Sequence, residues 1–68
     1  MALTLKAARV NKGMNQEEAA KHLGINVGTL ISYELGKTFP DVPMITRIEN
    51  LYGVSYNDID FLCHQKTV

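Results

Sequence analysis

The 68-residue sequence predicts an all-α protein, a compact cluster of five short helices. Three observations carry that expectation. Gly13, Gly24, Gly36 and Gly53 punctuate the chain at regular intervals, each followed within a few residues by a side chain suited to cap a helix. Apolar residues between them recur at helical rather than alternating spacing. No repeat, low-complexity run or strand alternation competes.

The first helix is expected from Thr4 to Lys12, ending at Gly13. Asn15 then offers its side chain as an N-cap, with Glu18 three residues on to complete a capping box. Ala19, Ala20 and Leu23 form the apolar face of this second helix, and Gly24 ends it. Asn26 opens a third helix, Val27 to Leu35, closed by Gly36. Asp41 caps a fourth, in which Pro43 is tolerated because first-turn N–H groups have no helical acceptor. Val42, Ile45, Ile48 and Leu51/Tyr52 give it a core face up to Gly53. Ser55 to Asp58 reads as another capping box, opening a fifth helix with Ile59, Phe61 and Leu62.

Bulk properties narrow the function classes. A chain of this length makes one domain at most, with a core expected over about residues 4–62 and a polar tail at 63–68, and buries only about 60% of its unfolded surface. Hydrophobic residues make up 46%, which suits a globular domain, and no apolar run approaches a membrane span or secretion signal. Cys63 is the single cysteine, so no internal disulfide or Cys-x-x-Cys metal site exists, and a reducing cytoplasm is the expected location. Seven basic residues balance seven acidic ones. Lys6, Arg9, Lys12, Lys21 and Lys37 nevertheless outnumber Glu17, Glu18 and Glu34 in the first 40 residues, a mild positive excess.

The link Gly24-Ile25-Asn26 between the second and third helices is short, with glycine at its start. Such a link sets two helices nearly perpendicular, the helix-turn-helix arrangement. That crossing needs a small residue, and Ala20 supplies it; it needs inward apolar residues, and Ile25, Leu30 and Tyr33 serve. With these residues in place the chain resembles the phage repressor/Cro-type helix-turn-helix family, whose domain is the lambda-repressor-like five-helix fold. The resemblance runs through Leu5 and Arg9, Gly13-x-x-Gln16, Ala20, Gly24-Ile25-Asn26, Leu30, Tyr33-Glu34-x-Gly36-Lys37, Pro40 and Leu51-Tyr-Gly53-Val54-Ser55, about fifty residues without a gap.

The resemblance implies a sequence-specific regulator of transcription that binds double-stranded DNA as a homodimer, with the third helix in the major groove. It implies that Arg9 and Glu34 form a structural ion pair. Gln16, first in the second helix, would meet a phosphate, where free N–H groups and the helix dipole favour an anionic oxygen. Lys37 and Thr38 would grip the backbone across the groove. Val27, Gly28 and Ser32, with Thr29 nearby, occupy the positions that reach base edges.

Those base-facing residues depart from the family's usual glutamine, arginine, asparagine or lysine. Neither Val27 nor Gly28 has a side chain able to pair with a base, and hydroxyls discriminate poorly. Val27, Ile31 and Leu35 instead line up as an apolar stripe outside the expected core, and Phe39 adds to it. One reading is readout by packing on thymine methyls and by DNA shape, with Gly28 allowing close backbone approach. The alternative is a protein-interaction module of antirepressor or corepressor type that uses the stripe. Tyr56, Ile59, Phe61 and Leu62 exceed what a short last helix needs for its own core and are the expected dimer contact. No enzymatic role is expected: His22 and His64 lie far apart, and no acid is placed to orient either. No cofactor, metal, membrane or small-molecule substrate is expected.

Overall fold

The computed structural model describes residues 3–61. Four helices carry most of it: α1 (Leu5–Asn11), α2 (Gln16–Leu23), α3 (Val27–Leu35) and α4 (Val42–Tyr52). A short parallel pair joins the ends of this segment, with β1 (Leu3–Thr4) beside β2 (Ile59–Asp60) in the register Leu3 to Ile59 and Thr4 to Asp60. Leu62 and the expected tail at 63–68, including Cys63 and His64, lie outside the described residues.

Each helix starts where a polar side chain can take up an orphan N–H, or where the backbone alone turns in. The Thr4 hydroxyl accepts from Ala7 N–H at 3.0 Å. Asn15 and Glu18 make both bonds of the capping box, at 2.8 and 2.9 Å. Asp41 Oδ1 accepts from Met44 N–H at 3.0 Å, with Pro43 in the first turn. Asn26 has the expected N-cap backbone but makes no side-chain capping bond. At the other ends Gly24, Gly36 and Gly53 adopt left-handed conformations and stop α2, α3 and α4.

The fifth helix does not form. Ser55 Oγ accepts from Asn57 N–H at 3.2 Å, and the chain completes only one 3₁₀ turn, Tyr56–Asp58, before extending into β2. Serine, asparagine and aspartate are weak helix formers, and one turn does not repay the cost of nucleation. Ile59 and Phe61 alternate inward around Asp60, which is a strand pattern, and Glu49 Oε2 fixes the turn by accepting from Tyr56 N–H at 2.7 Å. The expected all-helical reading is therefore corrected, among the described residues, to four α-helices and a strand pair. Val42 also departs from expectation, standing 75% exposed at the start of α4.

The core gathers Leu5 and Ala8 of α1, Ala19, Ala20 and Leu23 of α2, Leu30 of α3, Ile48 and Tyr52 of α4, and Ile59 and Phe61. Ala20 lets α2 and α3 approach at the turn, where Ile25 N–H donates to the Ala20 carbonyl at 3.0 Å. Arg47 of α4 donates to the Leu23 carbonyl at 3.3 Å and so satisfies the end of α2. Ile25 and Tyr33 pack at the margin of the core, half-buried.

The Tyr52 hydroxyl is buried with no hydrogen-bond partner among the described residues. Burial, helped by the Glu34 charge and opposed by Arg9, pushes its pKa up to about 12. A phenol held neutral in the fold contributes stability fully below its unfolded pKa near 10, and that contribution is lost as pH rises toward about 12. Tyr52→Phe removes an unpaired polar atom while keeping the ring. Its expected melting temperature equals or exceeds that of the parent at pH 7. Its decline between pH 10 and 12 is expected to be shallower, read by circular dichroism melts across that range.

Candidate nucleic-acid interface

The candidate surface is organised around one buried guanidinium. Arg9 reaches from the last turn of α1, and its Nε donates to Glu34 Oε2 at 2.6 Å while Nη2 donates to Oε1 at 3.3 Å. Both side chains are almost fully buried, at 8% and 4% exposure. The remaining arm, Nη1, donates to the Met14 carbonyl at 2.9 Å, just ahead of the Asn15 cap. One side chain thus ties α1, the lead-in to α2 and the last turn of α3. Only a planar fork of donors serves three acceptors this way; lysine, a point charge, would not.

Gln16 joins the same group. Its Nε2 donates to Glu34 Oε1 at 3.0 Å from a half-buried position at the first residue of α2. The start of α2 is thereby held against the end of α3. Immediately beyond, α3 reverses through Gly36: the Gly36 N–H donates to the Tyr33 carbonyl at 3.1 Å, and the Lys37 N–H to the Ser32 carbonyl at 2.9 Å. This closure satisfies two of the helix's last carbonyls and delivers Lys37 and Thr38 to the surface, both exposed.

Along α3 only Leu30 and Glu34 are buried. Val27 and Gly28 are exposed, Thr29, Ile31 and Ser32 are half-buried, and Leu35 is 59% exposed. The space around Gly28 is open: a Cβ there would meet nothing within 4 Å. The fold has no packing reason for glycine at that position.

The residues expected at a dimer contact are split. Ile59 and Phe61 lie in the chain's own core, Tyr56 is 44% exposed, and Leu62 falls outside the described residues. Tyr56 stacks on Phe61 with ring centroids 5.5 Å apart, and Phe39 meets Phe61 edge-on at 5.4 Å. Phe39, Val42 and Tyr56, with Pro40, Asp41 and Ile45, line one shallow groove. His22 is exposed, and among the described residues no three His, Cys, Asp or Glu side chains converge on a metal-sized site. No helix among them is long and apolar enough to cross a membrane.

Two features escaped the sequence reading. The Met14 acceptor is a backbone carbonyl and leaves no residue signature. The Gln16–Glu34 bond spans eighteen residues, and no local spacing announces it.

Two short helices joined through a left-handed glycine, the second showing most of one side to solvent, define a helix-turn-helix domain. The chain belongs to the helix-turn-helix family, in its phage repressor/Cro-type branch: the family pattern matches residues 5–59. The SPbeta prophage-derived uncharacterized HTH-type transcriptional regulator YonR of Bacillus subtilis (strain 168) is 41% identical over 58 residues, covering 85% of this chain and 51% of the relative. The cryptic phage CTXphi transcriptional repressor RstR of Vibrio cholerae is 32% identical over 50 residues, 74% of this chain and 45% of its own length. An uncharacterized HTH-type transcriptional regulator of Methanocaldococcus jannaschii is 36% identical over 55 residues, 81% of this chain and 83% of its own. The chain spans about half the length of the two phage-derived relatives. No solved structure matches it significantly. All three of these relatives carry the name of a transcriptional regulator or repressor.

Removing one member of a buried ion pair strands the other charge at a cost of roughly 3–5 kcal/mol. Glu34→Ala is therefore expected to unfold or strongly soften the domain, and a melting curve matching the parent's would contradict the structural role of the pair.

Proposed function

We propose that the protein is a sequence-specific double-stranded DNA-binding regulator of transcription, of the prophage repressor or Cro kind. In this reading α3 enters the major groove with Val27, Gly28 and Ser32 toward base edges and Thr29 beside them. Gln16 at the start of α2, with Lys37 and Thr38 after α3, holds the sugar–phosphate backbone. The observation that carries the reading is the Gln16–Glu34 bond, which fastens the expected phosphate contact of one helix to the expected base-reading helix. The regulator names of the relatives support it.

We propose that it acts as a homodimer on an approximate palindrome, with half-sites about 34 Å apart. Because Ile59 and Phe61 are spent on the chain's own core, the part of the contact among the described residues falls mainly to Tyr56, with Phe39 and Val42 beside it, and Leu62 stays in the proposed contact. Specificity comes from methyl packing, a few hydroxyl bonds and DNA shape.

A second reading draws on the exposure of Leu35 and Phe39 beyond Val27. Under it, the stripe binds another protein and base readout has been lost. Selection from a random duplex library at two salt concentrations separates the two. The expected outcome is an enriched palindrome with T-rich half-sites; absence of any enrichment favours the protein-binding module.

Val27→Ala is expected to weaken the enriched duplex by roughly tenfold, the value of about two buried methyl groups, with affinity for mixed-sequence DNA nearly unchanged. Gly28→Ala divides stability from function. It is expected to firm the free domain by about 1 kcal/mol, since glycine is a poor helix former and the added methyl meets nothing. It is also expected to weaken the enriched duplex, against which that methyl would press. Equal affinity of the two proteins would show that no close backbone approach occurs at Gly28.

A further inference from the structure

We infer that Glu34 is a positioning residue for DNA binding, acting through Gln16 as well as through the fold; this rests on the DNA-binding reading above. A glutamine side chain at a helix start ordinarily samples several rotamers, and its amide can face either way. Here it cannot. The facing atom, Glu34 Oε1, is a carboxylate oxygen, which only accepts, so the Gln16 nitrogen must point toward it. The reversed amide would bring two acceptors together in a site where Glu34 is almost fully buried.

The carboxylate is itself immobile. Arg9 engages both of its oxygens, and the same guanidinium holds the Met14 carbonyl two residues before Gln16. The amide is thus fixed at both ends: its backbone through Met14 and its nitrogen through Glu34. An amide nitrogen carries two hydrogens. With one given to Glu34, the second is left in a set direction for a phosphate oxygen. Arg9 also cancels the charge of Glu34, so the carboxylate does not repel the phosphate that its hydrogen-bond partner meets. The chain Arg9–Glu34–Gln16 therefore turns a buried ion pair into an aimed neutral donor at the surface.

The test uses the full chain, the duplex recovered by selection, and a mixed-sequence duplex of equal length. Gln16→Ala is expected to weaken both duplexes alike, by roughly tenfold, as loss of one hydrogen bond to a charged acceptor requires. Glu34→Gln keeps one acceptor oxygen, which the closer Arg9 Nε draws to itself, so that its NH2 falls where Oε1 accepted from Gln16, and it is expected to weaken both duplexes by a similar factor. The double variant is expected to be no weaker than either single, because both changes remove one contact. Losses that multiply in the double variant would overturn the inference, as would parental affinity in Glu34→Gln or in Gln16→Ala.

A measurement on the parent protein guards against misfolding of Glu34→Gln. In the free chain one of the two Gln16 side-chain amide hydrogens is expected to exchange with solvent more slowly than the other, and equal fast exchange overturns the fixed amide. A parent chain that binds neither duplex overturns the DNA reading and the phosphate role together. A protected Gln16 hydrogen found alongside that result would separate this failure from failure of the fixed geometry.

Discussion

The arrangement of this domain depends on the fork between Arg9 and Glu34. The largest fully buried side chains are Leu5, Leu23, Leu30 and Ile48, and where α1 and α2 enter the core they also present Ala8, Ala19 and Ala20. Small, smooth apolar surfaces of this kind permit helices to slide or rotate against one another at little cost. A buried guanidinium does not, because its donors are satisfied in one geometry and every other arrangement strands a charge. Net stabilisation from such a pair is often close to nil, since desolvation offsets attraction. Its effect lies in selection among packings. Three donors reaching Glu34 and the Met14 carbonyl fix α1, the start of α2 and the end of α3 relative to one another.

The rest of the candidate surface follows from that constraint and from local rules. Gly24 turns the chain left-handed after α2, Ala20 lets α3 cross close by, and Arg47 satisfies the carbonyl exposed at Leu23. Of the nine residues of α3, only Leu30 and Glu34 are buried. The helix is therefore held by Leu30 with Tyr33 packed at the core's margin, by the Glu34 ionic anchor and by its glycine end, leaving Val27, Gly28 and Leu35 outward. A helix meant only to stabilise the domain would bury a wider face. The glycine at 28, in open space, points the same way: it weakens the helix and gives the fold nothing in return.

How much of this was legible depended on how far each interaction reaches along the chain. The Asn15–Glu18 box, the Asp41 cap and the left-handed glycines at 24, 36 and 53 are local, spanning three or four residues, and the sequence carries them openly. The core face of α2 follows from helical period alone, and so does that of α4 except at Val42, which the period placed inward and the fold leaves exposed. The fifth helix failed as an expectation because Ser55 to Asp58 has the residues of a helix start, yet the outcome was decided by a partner more than fifty residues away, Leu3–Thr4. The alternation Ile59-Asp60-Phe61 was the available signal, and three residues are too few to weigh against a capping pattern. Within the candidate site, resemblance supplied the Arg9–Glu34 ion pair and the Gln16 phosphate contact as two separate roles, with nothing to join them. That they form one hydrogen-bonded group is a tertiary fact, invisible in any spacing.

A domain with no net charge has to bind a polyanion differently from a basic one. Strongly cationic proteins draw affinity from many phosphates at once, and the release of condensed counterions tolerates loose alignment. Here Lys37 is the only cation in the proposed contact set, while Gln16 and Thr38 are neutral donors whose bonds weaken steeply once distance or angle is lost. Affinity built on few, directional contacts demands that the donors be aimed before DNA arrives, because ordering them on arrival would consume much of what they return. The apolar face of α3 imposes the same demand: a methyl packed on a methyl has no long-range pull and rewards only close fit. Rigidity of the Arg9–Glu34–Gln16 group is thus what a weakly charged, weakly hydrogen-bonding reader would need, and it substitutes alignment for charge.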